Sequence, residues 1–180
     1  MRISFSNSDI FGAFLIRWGS SDKFFGLADC AHVMIIFDNR LVFHSLTNGG
    51  TRVDFLPNIL RIQKIVHQLK PKTDLTQEQE EQLYQFLLGR YKGRLYDYLG
   101  VLYFAWRVLL KKFFGKPLPL TNKWNSELEY FCTEIAQGVD DFYIQQFGHH
   151  LVSQNENFSL LTPQALYEKI LASGRFEEVA

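Results

Sequence analysis

The sequence predicts an α+β domain. Runs suited to strands lie before position 56, and apolar residues at helical spacing prevail after position 75. The size agrees: 180 residues, 47% hydrophobic and 16% aromatic, suffice for one domain with a full core. We therefore expect a single domain over residues 1–180, strand-rich in 1–56 and helix-rich in 75–180.

The elements read as follows. Ile10 to Trp18 is an apolar stretch in a mixed opening segment, followed by the polar turn Gly19-Ser20-Ser21-Asp22-Lys23. His32 to Phe37, HVMIIF, is rich in β-branched and aromatic residues and reads as a strand. Asp38-Asn39 signals a turn, Leu41 to Leu46 the returning strand, and Asn48-Gly49-Gly50 a second turn. Arg52 to Phe55 suits a short third strand closed by Pro57. Ile59 to Leu69 fits a strand or a short helix equally. Thr76 and Gln79 form a capping box, after which Leu83, Phe86, Leu87 and Tyr91 repeat at helical spacing as far as Gly93. Tyr96 to Phe114 predicts a largely buried helix, Lys116 to Leu120 a loop, and Ser126 to about Phe142 a third helix. Thr162-Pro163 opens a last helix to Ala172, with Gly174 as its stop. The count is two or three strands.

Charge and composition remove several function classes. The 19 basic residues are matched by 19 acidic ones, so no bulk basic charge offers itself to nucleic acid. Two cysteines do not build a disulfide scaffold. The start, MRISFSNSDIFGAF, lacks a basic region followed by an apolar core, so no signal peptide is expected. Synthesis would then be cytoplasmic, with assembly into a phage particle or export by another route left open. Leu99 to Leu110 is the most apolar run, but Arg107 interrupts it, and it falls short of the roughly 20 residues that span a bilayer. A buried or interfacial helix is expected, not a membrane span.

The residues that could carry chemistry are few. With a three-residue turn over 38–40, residue 34 pairs with 44, and His32 and His44 become diagonal neighbours on one sheet face. A two-residue turn would separate them. Cys132 lies in YFCTEIA near the expected start of a helix, where the dipole favours a thiolate, so an activated sulfur would react well below pH 8. The Ser126/Glu129 capping box would start that helix earlier and weaken the effect. Cysteine, histidine and a group orienting the histidine are the parts of an activated sulfur nucleophile. Free cysteine is also a common core residue, and that reading stands beside the catalytic one.

Three segments resemble the circularly permuted branch of the NlpC-type papain-like cysteine peptidase and amidase superfamily: CAHVMIIF with VFHS and NGGTRV after it, GRLYDYLG, and YFCTEIAQGV. LTPQALYEKIL is similar to the closing helix of that branch. The resemblance implies a papain-like fold, with a small antiparallel sheet packed on helices. It makes Cys132 the nucleophile, His32 the general base and His44 the group that orients it. It also brings in Tyr96 and Asp97 as substrate-side candidates, which otherwise read as a helix start. The implied activity is cleavage of an amide, in a cell-wall peptide or a related substrate, through an acyl-enzyme. Two departures are His44, where many permuted members carry Glu, and Ala31, where Ser often stands. Other readings are a catalytically inactive structural module of a phage particle or secretion assembly, and a lipid acyl hydrolase or acyltransferase of the same fold.

Cys30 has three readings: core, redox partner of Cys132, or member of a Cys30, His32, His44, Cys132 zinc set. A closed zinc site would consume both nucleophile and base, so no zinc, no other cofactor and no disulfide are expected in the resting protein. His149-His150 reads as a polar loop and His67 as structural. The aromatics Tyr98, Tyr103, Phe104, Trp106, Phe113 and Phe114 read as core before they read as an acyl or membrane-facing groove.

Overall fold

The structure is a computed structural model that describes residues 1–8, 11–21, 26–38, 40–46, 49–96, 98–115, 132–152, 156–158 and 161–179. It is an α+β fold with the order β1 (Arg2–Asn7), α1 (Phe11–Ser20), β2 (His32–Ile36), β3 (Leu41–Leu46), β4 (Gly50–Phe55), α2 (Leu56–Ile59), β5 (Lys64–Pro71), α3 (Gln77–Tyr91), α4 (Tyr98–Phe114), α5 (Cys132–Phe147), α6 (Pro163–Ala172) and β6 (Phe176–Glu178). The strands form one antiparallel sheet in the order β4-β3-β2-β1-β5-β6.

The sheet is therefore larger than the two or three strands expected. β1 escapes a pattern search because Ser4 and Ser6 are buried along with Ile3 and Phe5, so polar residues do not mark a solvent face. Its inward serines are satisfied locally: Ser6 Oγ donates to Gln63 Oε1 at 2.7 Å, and Gln68 Nε2 donates to Ser4 Oγ at 3.2 Å. The ambiguous Ile59 to Leu69 run divides into the end of α2 and most of β5. β6 has only three residues, and pairing with β5 makes it a strand. Strand structure thus extends well past residue 56.

Alternation divides the sheet into two faces. Ile3, Phe5, Val33, Ile35, Phe43 and Leu69 join the main core with Leu83 and Leu87 of α3, Ile135 and Val139 of α5, and Leu166 and Ile170 of α6. Met34, Ile36, Val42 and Ile59 form a smaller cluster that Leu56 and Ile65 cover in part. The helix ends carry the expected caps. Thr76 and Gln79 exchange bonds across the α3 start, and Thr162 Oγ1 accepts from Ala165 N at 3.1 Å at the α6 start.

Two glycines fix close approaches. Gly138 lets α5 lie on α3: an added Cβ would come within 2.4 Å of Tyr91 Cε2. Gly50, at φ 65°, lets the segment after α3 dock on β4, since a Cβ there would sit 2.1 Å from Arg94 O. Thr51 N–H donates to Arg94 O at 2.8 Å, and Gly93 N–H donates to Thr51 O at 2.9 Å. The GRLYDYLG element is thereby pinned to the β4 end of the sheet.

The core reading of the α4 aromatics fails in part. Tyr103 is buried, but Trp106, Phe113 and Phe114 are 55%, 58% and 72% exposed. Helical spacing alone does not tell which neighbour a stripe meets. The side chains of Tyr98 and Phe104 lie outside the described residues.

Candidate active site

The hairpin β2–β3 has the register Met34↔His44, Ile35↔Phe43 and Ile36↔Val42. This is the pairing that a three-residue turn gives, and it sets His32 and His44 side by side. Their rings meet edge to face with centroids 5.7 Å apart. In parity both follow Met34 and Val42, whereas Cys132 belongs to the cluster of Val33 and Ile35.

His44 is fully buried, and its Nε2 lies 2.9 Å from Asp54 Oδ2. Arg52 Nε donates to the same oxygen at 2.6 Å. Burial pushes the Asp54 carboxyl up, but the hydrogen bonds from His44 and Arg52 and the Arg52 charge outweigh it and hold the group below the usual carboxylate range. With Asp54 ionised, His44 must donate from Nε2. Its Nδ1 then carries a lone pair, and that atom is buried with no hydrogen-bond partner among the described residues. Burial holds the His44 pKa down despite Asp54. His32 is driven further, to about 3, by burial and then by His44. Both rings are therefore neutral at pH 7, and the buried His32 Nε2 also lacks a partner among the described residues.

Cys132 is the first described residue of α5 and is buried in the main core. Its pKa is pushed up to about 11 by burial. The backbone N–H groups of Val33, Cys132 and Thr133 oppose that rise, while the Glu134 carboxylate adds to it. Burial thus acts on the thiol in the direction opposite to the helix dipole, and desolvation outweighs the N–H dipoles. Thr133 Oγ1 anchors this turn by donating to Phe158 O at 3.1 Å. The sulfur reaches the sheet at Val33, one residue past His32, yet Cys132 and His32 make no hydrogen bond to each other. The Ser126/Glu129 capping box lies outside the described residues.

Tyr96 is buried on the segment that Gly50 admits, whereas Asp97 lies outside the described residues. Sequence reasoning missed Asp54 and Arg52. The β3–β4 register pairs Ser45 with Thr51 and His44 with Arg52, which makes Asp54 the diagonal neighbour of His44.

Cys30 and Cys132 are both free thiols. Cys30 sits fully buried in the main core, as in the first of its three readings. Its Sγ donates to Gln164 Oε1 at 3.5 Å. His67 Nδ1 lies 2.7 Å from Glu178 Oε1, and its ring stacks on Tyr167 with centroids 4.2 Å apart. His150 Nδ1 lies 2.8 Å from Asp140 Oδ2, so the His149-His150 segment is tied to α5. Among the described residues no three His, Cys, Asp or Glu side chains converge on a point that would hold a metal ion.

A scan of protein-family models and a search of curated proteins return no match. Among solved structures, metalloprotein yiiX from Escherichia coli O157:H7, a DUF1105 protein, superposes with a TM-score of 0.60. The alignment covers 99% of this chain and 94% of that one at 15% sequence identity. At that identity the likeness concerns the fold alone. No described helix is long and apolar enough to cross a membrane.

Proposed function

We propose that the protein is a thiol-dependent hydrolase of papain-like architecture that cleaves an amide through an acyl-enzyme on Cys132. The observation that carries this reading is the seat of the sulfur. Cys132 starts α5 against the strand that bears His32, the backbone N–H groups of Val33, Cys132 and Thr133 favour its anion, and the His32 ring meets His44, which is bonded to Asp54. In the resting state thiol and imidazole are both neutral. Attack then couples two events: a bond forms from Sγ to the carbonyl carbon, and the sulfur's proton passes to His32. The carbonyl π electrons move to oxygen, which backbone N–H groups stabilise. The proton leaves with the amine as the C–N bond breaks. Water then attacks the thioester with His32 as base, releasing acid and free thiol. By parity His32 follows the Met34 face while Cys132 packs with Val33 and Ile35, so this sequence requires the His32 ring to swing round the start of β2 toward the sulfur when substrate binds. Cell-wall peptides and related amides are the first substrates to try, with lipid esters next.

The metal of the structural neighbour is not carried over. His32 Nε2 and His44 Nδ1 lack hydrogen-bond partners, but among the described residues no third donor joins them.

A second reading has its own support. The thiol raised to about 11 and the missing Cys132–His32 hydrogen bond suit a papain-like frame that serves as a structural module, in a phage particle or secretion assembly, without turnover. Acid-quench mass spectrometry after mixing with cell-wall peptides, simple amides and lipid esters distinguishes the two. An acyl adduct on the Cys132 peptide, absent in Cys132→Ala and reduced in His32→Ala, supports the hydrolase. No adduct with any of the three, or unchanged turnover by Cys132→Ala, overturns it.

A further inference from the structure

His67 is held in one orientation by its neighbours. It stands on β5 opposite Phe5 of β1. Its ring stacks on Tyr167 of α6, and Phe5 braces that tyrosine edge-on with centroids 5.4 Å apart. Glu178 of β6 takes one ring nitrogen, with Nδ1 2.7 Å from Oε1. The hydrogen bonds from His67 and Tyr167 hold the Glu178 carboxyl below the usual carboxylate range, so it is ionised and His67 must donate from Nδ1. In the neutral ring Nε2 then carries a lone pair. That atom is buried and has no hydrogen-bond partner among the described residues. The group nearest to it is a second carboxylate, Asp29 Oδ2, at 3.9 Å. Lone pair and carboxylate are both acceptors, so this contact binds nothing while the ring is neutral.

Asp29 belongs to the linker that enters β2, three residues before His32. The backbone of that linker is pinned at intervals. Arg17 of α1 exchanges two bonds with Ala28, Gln164 of α6 accepts from the Asp29 N–H, and Ala31 N–H donates to Ser6 O at 2.9 Å. The Asp29 carboxylate itself is 68% exposed and free to move, whereas the His67 ring is not. The titratable groups around the ring are Glu178 from β6, Tyr167 from α6, and Asp29 and Cys30 from the linker, with Glu168 of α6 acting on Cys30. Arg17 is the cation on the α1 side, and Lys70, further along β5, is paired with Glu177 at 3.1 Å.

We propose that His67 is a proton-operated clasp between β6 and the linker into β2. In its neutral form it binds Glu178 alone. Histidine changes charge between pH 5 and 8. A proton taken from solvent at Nε2 turns that atom from acceptor into donor and sets a cation between two carboxylates. Stacking and the Glu178 bond keep the ring in place, so Asp29 makes the move, closing from 3.9 Å to hydrogen-bond distance. The approach to His32 is thereby tightened in acid and released toward pH 8. The clasp does not rest on the Cys132 reading, although the turn of His32 which that reading requires is what the clasp would restrain.

NMR of the full chain between pH 8 and pH 5 tests it. Ring nitrogen shifts should show His67 protonated at Nδ1 alone at pH 8 and at both nitrogens at pH 5. Amide hydrogen exchange reads the linker at Ala31 N–H, corrected for the intrinsic dependence of exchange on pH. A partly exposed ion pair shifts a local opening equilibrium by about two- to fivefold, so protection should rise by that factor as His67 gains its proton. Asp29→Asn should abolish the step while His67 still titrates, and His67→Gln should abolish it outright. Circular dichroism establishes that each variant is folded, and the exposed Asp29 position keeps the test available if His67→Gln is not. A neutral ring protonated at Nε2, or a ring that keeps one charge state throughout, overturns the proposal. So does a titration with no step at Ala31, or a step that survives Asp29→Asn.

Discussion

Cys132 and Cys30 are both buried in the same core, and burial raises both thiols, to about 11 and about 12. What opposes burial differs. At Cys132 the backbone N–H groups of Val33, Cys132 and Thr133 favour an anion forming there, against Glu134. Around Cys30 an ionised Cys132 and the Asp29 and Glu168 carboxylates disfavour an anion, and Arg17 favours one. Its hydrogen-bond partner, Gln164 Oε1, accepts from a thiol and offers nothing to a thiolate. Resting acidity barely separates the two cysteines. The direction of the surrounding dipoles does, and that is the property a developing negative charge would sense.

The sharpest break in this comparison is by substitution. Under the proposed mechanism Cys132→Ala removes the nucleophile and should lower turnover by on the order of 10³-fold or more. Cys30→Ala leaves every proposed reacting group in place, and kcat should stay within about twofold while stability falls by about 1 kcal/mol. Steady-state kinetics on an identified amide substrate, with urea denaturation of both variants, checks this. Comparable activity loss in both would mean that the two thiols are not distinguished by their dipoles.

Alkylation measures the resting state directly. An unperturbed thiol at 9.0 moved to about 11 holds roughly a hundredth as much thiolate near neutral pH. Iodoacetamide labelling of native Cys132 at pH 8 should therefore run about 10²-fold slower than in the urea-unfolded chain, with Cys30 slower still. The Cys132 rate should climb with pH and reach no plateau below about 11. Fast labelling at pH 7 would restore what the sequence led us to expect and would imply a closed thiolate–imidazolium pair in solution.

How much of this was legible follows from which forces act locally. The α3 capping box and the Thr162-Pro163 start of α6 are set by neighbouring side chains and are legible in the sequence, whereas the β2–β3 register hangs on a turn length that the sequence leaves between two and three residues. β1 is not legible, because its buried serines hide the face that tertiary packing buries. Asp54 was missed because its role depends on a second hairpin register superimposed on the first. The acidity of Cys132 is not legible in the sequence, because desolvation depends on everything packed around a group. Sequence shows a helix dipole far more readily than it shows the absence of water.

Acid stability sharpens the contrast from the histidine side. His32 is held at about 3 against an ordinary 6.5, so the folded state refuses a proton that the unfolded chain takes. Its depressed pKa contributes stability that is full above about 6.5 and is lost as pH falls toward 3. His32→Gln should flatten that decline, giving a urea midpoint less dependent on pH between 6.5 and 3 than in the parent. An unchanged slope would show that another group governs the acid limb.

Asp54→Asn tests whether the anchor behind His44 matters as proposed. The side chain keeps its size but loses the charge that favours an Nε2 donor and draws Arg52. Breaking a buried partner costs about 1–3 kcal/mol, so the denaturation midpoint should drop accordingly. The two-dimensional NMR signature of the His44 tautomer should change with it. A stable variant with the same tautomer would remove Asp54 from the site.

The smallest effect is expected at the Cys30 end. Gln164 Oε1 takes the Cys30 thiol and the Asp29 N–H at 3.2 Å, while its Nε2 donates to Glu168 Oε1 at 2.9 Å. Two of these three bonds lie at the surface, where water replaces what is removed, and a thiol is a weak donor. Gln164→Met preserves length and helix propensity on α6, so stability should change by about 0.5 kcal/mol or less. Cys30 labelling should stay slow, because burial and the Asp29 and Glu168 carboxylates remain. If the variant instead exposes Cys30 to rapid alkylation, the amide rather than the core is what encloses that sulfur. The two cysteines would then differ in packing before they differ in field.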